Sequence, residues 1–450
     1  MWKMVSSAAL ALMLALPVTA QSNSANDQED VYEQLDRFMR IFQLMRSQYV
    51  DDIDDKEAIE AAIQGMLRSL DPHSTYFNTD AFEQVRIQTE GEYGGLGIEV
   101  QMDKGVVKVV SPIDDTPADR AGIQGGDYIT HLDGEAILGQ TLTDAIKIMR
   151  GAVGEPITVT VVREGVEEPF DVEITREKIL VRAVRHRIEE DTIGYLRITT
   201  FNQQTGKGVE DAVRKIREEA GPALDGLIID LRNNPGGLLD EAIRVSDAFL
   251  DRGEIVSTRG RRRENNNRWY ATHGDLMDGL PIVVLVNAYS ASASEIVAGA
   301  LKDHRRAVIL GDKTFGKGTV QSEIRLGEKR DYAIRLTTAR YFTPSGQSIQ
   351  ERGVEPDIEV LFPRPANARG NPRREADLRG HIENDQNVSD RAGEEEPLAA
   401  EEQPEPQAEG VQQAPTAPAP EDRVDVQLKY AIKLLKNMSA LPKAQIAEAR

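Results

Sequence analysis

In the first part of the chain, the apolar residues Val31, Leu35, Phe38, Phe42, Met45 and Tyr49 recur at three- and four-residue steps. That period predicts an amphipathic helix over residues 31–50. A second helix is expected over 56–70, halted before Pro72 in Asp71-Pro-His-Ser-Thr-Tyr76. From about Glu92 the pattern changes to short β-type runs broken by glycine. Gly105-Val-Val-Lys-Val-Val110 reads as a strand, 117–122 as a short helix, 126–134 as strand plus turn, 142–150 as a helix, and 157–163 as a last strand. From Ile193 to about Phe362 strands at 194–201, 226–231, 282–286 and 307–310 alternate with helices at 208–219, 238–250 and 292–303. Such alternation predicts an α/β layered domain, followed by β-strands over 321–341. Beyond Pro363 the composition shifts to Pro, Glu, Ala, Gln and Arg without aromatics, and disorder is expected until about Glu421. A final amphipathic helix over 424–438, with Val426, Leu428, Ile432 and Leu435, offers a partner-binding face.

The order of elements in residues 91–177 resembles a PDZ domain. That resemblance implies an exposed strand edge beside a helix, where a peptide can be added as an extra strand. The amides of Gly95, Leu96, Gly97 and Ile98 would then lie at the end of the groove and receive a free C-terminal carboxylate.

With 450 residues and 40% hydrophobic content, the chain has room for two or three domains with sizeable cores. Lys3, the apolar stretch 8–16 and the small residues Val18-Thr-Ala20 form the pattern of a cleaved secretory signal over 1–20, with a retained anchor as the alternative. The apolar stretch is too short to span a bilayer comfortably, and no other segment reads as transmembrane, so a mature protein of the periplasm is expected. Cysteine is absent, which excludes disulfides, cysteine nucleophiles and thiolate metal sites. None of the six histidines has an H-x-x-x-H spacing, so no metal or other cofactor is expected. The net charge of −21 argues against nucleic acid as a partner, and the basic run Arg259, Arg261, Arg262, Arg263 reads as a solvated hairpin tip.

The chemistry concentrates in three turns. Asn287-Ala-Tyr-Ser-Ala-Ser-Ala-Ser-Glu295 follows an apolar strand and opens a helix, the setting in which a nucleophile is displayed. Ser290, Ser292 and Ser294 compete for that role. The middle one is best placed at the helix start, Ser294 suits a cap or first-turn position, and spacing alone leaves the choice open. Asp230-Leu-Arg-Asn-Asn-Pro-Gly-Gly237 is a second strand-to-helix turn. Its Gly236 amide is a candidate oxyanion donor, with the Ala293 amide as the usual partner after a nucleophile at Ser292. Lys317, in Thr314-Phe-Gly-Lys-Gly-Thr-Val-Gln321, can act as base if desolvation brings it to neutrality near pH 7. Gly311 to Gly318 also matches the G-x-x-x-x-G-K of a phosphate-binding loop. Glycine nevertheless stands where Ser or Thr must reach magnesium, and an alternating strand follows where a helix is required.

These turns are similar to those of the carboxyl-terminal processing, or tail-specific, proteases. The resemblance covers about 31–362 and rests above all on Ser290-Ala-Ser-Ala-Ser-Glu-Ile296 and 314–321. It implies a serine-lysine peptidase acting near protein C-termini without ATP or metal. The middle serine is then the nucleophile, the lysine stands 25 residues later as base, and the glutamine four beyond it orients the lysine, which carries over to Ser292, Lys317 and Gln321. Gly236 and Ala293 match the oxyanion pair, and Arg232, Glu295 and Asp303 match supporting positions. The family's PDZ domain often gates the site, so Arg150 is expected to bear on Gln321 or Lys317. The implied fold is multidomain α+β: signal 1–20, helical region 21–90, PDZ domain 91–177, peptidase core 178–362, disordered linker 363–422 and C-terminal helix 423–450.

Two other function classes stand beside this reading. One is a Ser-His-Asp hydrolase with His304 or His273 as base. His304 would lie about 18 Å along the helix from Ser292, which disfavours it. The other is a PDZ scaffold that sequesters exposed, apolar C-termini, and between the two lies a resting protease that awaits an adaptor protein. Adaptor contacts and assembly into a homo-oligomer are expected at the helical ends, 31–70 and 424–438.

Overall fold

The computed structural model describes residues 23–272, 274–362, 371–386 and 424–440. The expected signal segment 1–20 and His273 lie outside them. Two compact units divide the chain, residues 1–65 and 66–450. The first contains α1 (Asn23–Gln48) and most of α2 (Asp55–Arg68). Val31, Leu35, Phe38 and Met45 remain exposed along α1.

The second unit begins with β1 (Thr75–Phe77) and α3 (Thr79–Glu90). Asn78 caps α3 by accepting the Ala81 amide at 3.0 Å, and Gly91 ends it at φ +71°. The strands that follow are β2 (Glu92–Gly95), β3 (Ile98–Asp103), β4 (Val106–Pro112), β5 (Tyr128–Leu132), β6 (Glu135–Ala136), β7 (Pro156–Val162), β8 (Phe170–Thr175) and β9 (Glu177–Leu180), with α4 (Pro117–Arg120) and α5 (Leu142–Met149) between them. Strand order β3-β4-β5-β7-β8 makes one sheet, with β6 beside β5, while β2 pairs with β9. Alternation buries Val107, Val109, Ile157, Val159 and Val161 in a core closed by Ala145 and Met149 of α5. The run expected to be last, 157–163, is followed by β8 because Phe170, Val172 and Ile174 continue the same alternation.

The remaining elements are β10 (Val184–Glu189), β11 (Ile193–Ile198), α6 (Thr205–Ala220), β12 (Gly226–Asp230), α7 (Leu239–Asp247), β13 (Glu254–Gly260), β14 (Arg268–Tyr270), β15 (Ile282–Val286), α8 (Ala293–Asp303), β16 (Ala307–Gly311), β17 (Thr319–Leu326), β18 (Tyr332–Phe342), β19 (Ile358–Glu359) and a C-terminal helix, α9 (Val426–Ser439). The central sheet runs β10-β11-β12-β15-β16-β19, parallel from β11 onward. β12 and β15 are buried at every position because both faces are covered. Leu227, Ile229, Ile282, Val284 and Val286 face the core shared with α6, α7 and α8, whereas Ile228, Val283 and Leu285 face α9. A second sheet, β1-β18-β13-β14 with β17 on β18, brings the strand after Lys317 alongside the first. Adjacent parallel strands β12 and β15 end on one side, so the turns 231–238 and 287–292 meet outside their carboxyl ends, where α/β sheets build sites.

Two expectations about the tail need correction. Residues 371–386, within the segment expected to be disordered, pack on the core: Glu375 and Asn384 are fully buried, with backbone and side-chain hydrogen bonds to residues 312–351. Composition gave no sign of this because the anchors are polar. The apolar face of α9 is not open to a partner either, since Ala431, Ile432 and Leu435 close the second face of the central sheet.

Candidate active site

Asp71, buried before β1, starts one wall of the site. Its carboxylate accepts the Ser74 amide at 2.9 Å, the Ser74 hydroxyl at 2.7 Å and the Thr337 hydroxyl at 3.0 Å. Opposite, β15 leads into the three-serine turn. The Ser290 hydroxyl donates to Leu231 O at 2.8 Å and the Ser294 hydroxyl to Asn234 O at 3.0 Å, so both are committed to the neighbouring glycine-rich turn. Ser292 alone takes a left-handed backbone, φ +55°, ψ −115°, immediately before α8. For a non-glycine residue that conformation costs roughly 1–3 kcal/mol. The choice that spacing left open is thus narrowed by hydrogen bonding.

Glu295, one turn into α8, is fully buried and joins the serine turn to the lysine loop. It accepts the Ser292 amide at 2.7 Å, the Thr314 hydroxyl at 2.5 Å, the Gly316 amide at 2.7 Å and the Lys317 amide at 2.9 Å. Burial pushes its carboxyl up to about 7 against the pull of these donors. The sequence reading gave Glu295 only a supporting part; the structure makes it the shared anchor of both loops.

Lys317 sits between Gly316, at φ +95°, and Gly318, where a Cβ would collide with the Gln350 amide nitrogen. Glycine on both sides is therefore a steric requirement. Burial lowers the ammonium to about 8; Arg335 acts in the same direction, while Glu375, Glu295 and Asp71 oppose it. Among the described residues the ammonium makes no hydrogen bond and no ion pair. The Ser292 hydroxyl instead accepts from the Tyr341 hydroxyl at 2.8 Å. Tyr341 is buried, which raises its own pKa, and its amide donates to Gly318 O at 3.0 Å.

Several expected contacts are absent or redirected. Gln321 Nε2 donates to Thr319 Oγ1 at 3.0 Å and Thr337 Oγ1 at 3.2 Å, not to the lysine. Gly236, at φ +101°, lies against the three-serine turn: a Cβ there would stand 2.8 Å from Ser292 Cβ and 2.9 Å from the Ala293 nitrogen. Its amide, however, donates to Asn234 Oδ1 at 2.9 Å, while the Ala293 amide has no acceptor among the described residues. Arg232 forks between Asp230, at 2.6 Å, and Asp425 at the start of α9, at 2.9 Å, so it supports the turn from behind. Asp303 closes the far end of α8, about 16 Å from Ser292 by helical rise, and accepts the Ser345 amide at 2.9 Å. Arg150 hydrogen-bonds Gln84 at 2.9 Å and stacks over Tyr93, so its expected contact with Gln321 or Lys317 is not made. His304 Nε2 bonds Glu254 O at 2.7 Å and is no base for Ser292.

Gly95, Leu96, Gly97 and Ile98 line a groove with Ile146 and Met149 of α5, between that helix and β3. Leu96 O and Gly97 O are held by the Ala118 and Ile113 amides, which fixes the loop. Among the described residues no helix is long and apolar enough to cross a membrane, and no cluster of three or more His, Asp or Glu is placed to hold a metal ion. Tyr341 and Glu375 were missed in the sequence because each is distant from the site's motifs, and Asn234, although inside the 230–237 turn, was given no part there.

The family model for Peptidase family S41 matches residues 192–360, a PDZ domain model matches 94–174, and the Activating protease CtpB N-terminal domain matches 5–81. The carboxy-terminal-processing protease of Bartonella bacilliformis is 52% identical over 83% of this chain and 86% of its own. The carboxy-terminal processing protease CtpB of Bacillus subtilis is 32% identical over 78% and 71%. A solved photosystem II D1 C-terminal processing protease aligns over 76% of this chain and 94% of that one, at 27% identity and a TM-score of 0.41. The chain belongs to peptidase family S41 and is a carboxy-terminal processing serine protease with a PDZ domain and a CtpB-like N-terminal domain.

Proposed function

We propose that this chain is an ATP-independent endopeptidase of the periplasm that captures an exposed, apolar C-terminus in its PDZ groove and cuts nearby, with Ser292 as nucleophile and Lys317 as general base. The observation that carries the reading is the Glu295 carboxylate, which accepts the amides of both Ser292 and Lys317 and so holds the two loops on one buried anchor. A lysine lowered to about 8 is about one-tenth neutral at pH 7, enough for a base. Neutral Lys317 takes the Ser292 proton as the oxygen attacks the peptide carbonyl. The same proton then passes to the leaving amine, and water releases the acyl group by the reverse route. The Ala293 amide, joined by a Gly236 amide turned away from Asn234, would bind the oxyanion, each worth several kcal/mol in such a site.

Three contacts favour a second reading, in which the enzyme rests until substrate or an adaptor realigns it: Tyr341 on the Ser292 oxygen, Asn234 on the Gly236 amide, and Gln321 on two threonines. The exposed α1 stripe suits assembly into a homo-oligomer, and the first twenty residues support export. Independence from ATP is consistent with β17 opening at Thr319, where a phosphate-binding loop would need a helix.

The test is an unfolded substrate ending in apolar residues, with its terminal carboxylate free or amidated. Amidation should raise KM at least tenfold, with cuts confined near the end of the free form. Equal cleavage of both forms, spread along the chain, would remove C-terminal recognition from the proposal.

A further inference from the structure

The strap of residues 371–386 follows the segment matched by the peptidase family model and lies directly over the lysine loop. Arg374 Nη1 donates to Lys313 O and Thr314 O, both at 2.6 Å, and Nη2 donates to Asp312 Oδ1 at 3.2 Å. The Glu375 amide donates to Phe315 O at 3.1 Å. On the other side of the lysine, the Gly318 amide donates to Gln350 Oε1 at 2.8 Å, and Gln350 Nε2 donates to Glu375 Oε1 at 3.0 Å. Asn384 returns to hold Gln350 O at 2.8 Å. Phe315 and Gly318, the residues that bracket Gly316 and Lys317, are therefore tied to Glu375 directly and through one glutamine.

The Glu375 side chain is fully buried, a placement that is costly for a carboxylate unless its surroundings hold it. His73 Nε2, from the loop before β1, reaches its two oxygens at 2.8 and 2.9 Å, and Gln350 takes a second site on Oε1. Neither partner is needed for the peptidase chemistry, and the sequence marks neither. A buried acid fixed this firmly beside a catalytic loop needs a role.

We propose that Glu375 is a positioning residue for Lys317: its strap fixes the loop that carries the lysine, and its carboxylate supplies the negative field that balances the charge on the buried ammonium. The proposal rests on Lys317 being the base. The charged groups acting on the lysine are Glu375 from the strap, Arg335 from β18, Glu295 from α8 and Asp71 from the loop before β1, with His73 on Glu375 and Tyr341 on Ser292 as the titratable groups next to them. All three carboxylates are hydrogen-bonded, Asp71 by Ser74 and Thr337, Glu295 by four donors and Glu375 by His73 and Gln350, and of the three Glu375 acts most strongly on the lysine. The tail thereby acts on the pH at which the peptidase becomes active, against the burial that lowers the lysine.

The sign is fixed by charge. A carboxylate favours the protonated lysine, so Glu375→Gln should move the acidic limb of kcat/KM to lower pH, by about half a unit or more. Arg335→Gln removes a neighbouring positive charge and should move the limb the other way. Arg374→Ala, on a partly exposed side chain, should loosen the strap, lowering kcat and shifting the limb in the Glu375→Gln direction. The experiment is the pH profile of cleavage of an unfolded protein by residues 21–450 and these variants, with thermal melts to confirm folding and Lys317→Ala as the reference. Shifts of opposite sign for Glu375→Gln and Arg335→Gln support the proposal. An inactive Lys317→Ala together with an unmoved limb in Glu375→Gln and Arg374→Ala would overturn it while leaving the dyad intact. Activity in Lys317→Ala would overturn the dyad and this proposal together.

Discussion

At the scale of single residues, the site depends on what each polar atom is engaged with. Lys317 is held by burial at about 8, so activity should rise nearly tenfold per pH unit below that value and level off above it, as the neutral base replaces the ammonium. A flat profile between pH 6 and 9 would argue against a lysine base. Tyr341 donates to the Ser292 oxygen, the atom that attacks in the proposed mechanism, and so draws electron density from it. Tyr341→Phe should raise the basal rate a few-fold, the effect of about 1 kcal/mol of lost hydrogen bonding, with the melting temperature little changed. A fall of a hundredfold would instead give the tyrosine a part in the reaction. The serine turn and the lysine loop that Glu295 joins could be picked out in the sequence because their motifs are local: glycines flank Lys317 and a strand-to-helix turn holds Ser292. Tyr341 and Glu375 could not, because each acts through a contact whose partner is set by tertiary packing, and Asn234 could not because its bond to the Gly236 amide depends on the turn's backbone and rotamer.

Elements deliver these residues through two turns at the ends of β12 and β15. Gly236 packs so closely on the three-serine turn that Gly236→Ala has no space: its Cβ would stand 2.7 Å from Ala291 O and 2.8 Å from Ser292 Cβ, on a backbone at φ +101°. Activity should fall at least a hundredfold, with about 2–3 kcal/mol lost from stability. Gly346→Ala is the control, since φ there is +81° and nothing lies within 4 Å; it should cost about 1 kcal/mol and leave the rate unchanged. Both effects can be read from urea melts beside initial rates. The strands of the central sheet were legible because continuous apolar runs such as Ile282–Val286 admit few other readings. The tail was misread for the opposite reason: residues 371–386 are held by Arg374, Glu375, Asn384 and Gln386, and polar anchors carry no hydrophobic period. The face of α9 was visible in the sequence, but nothing there said that it would close on Ile228, Val283 and Leu285 of its own chain. Leu435→Ala should therefore destabilise the folded enzyme by about 2–5 kcal/mol, measured by denaturant unfolding, rather than weaken binding to another protein.

For the whole molecule, the S41 core, the PDZ domain and the N-terminal helices were each legible as blocks, because the hydrophobic period changes between them. How Arg150 would be used was not legible, and its contacts with Gln84 and Tyr93 lie within the PDZ surroundings instead of at the lysine. The central claim is that one serine and one lysine on separate loops, joined by Glu295, perform the cleavage. Its most direct test is the cleavage of an unfolded protein such as β-casein by residues 21–450, compared with Ser292→Ala and Lys317→Ala at pH 8, each variant shown by its melt to be folded. Loss of cleavage by three orders of magnitude or more in both variants is the expected result. Cleavage that persists in either folded variant would contradict the account.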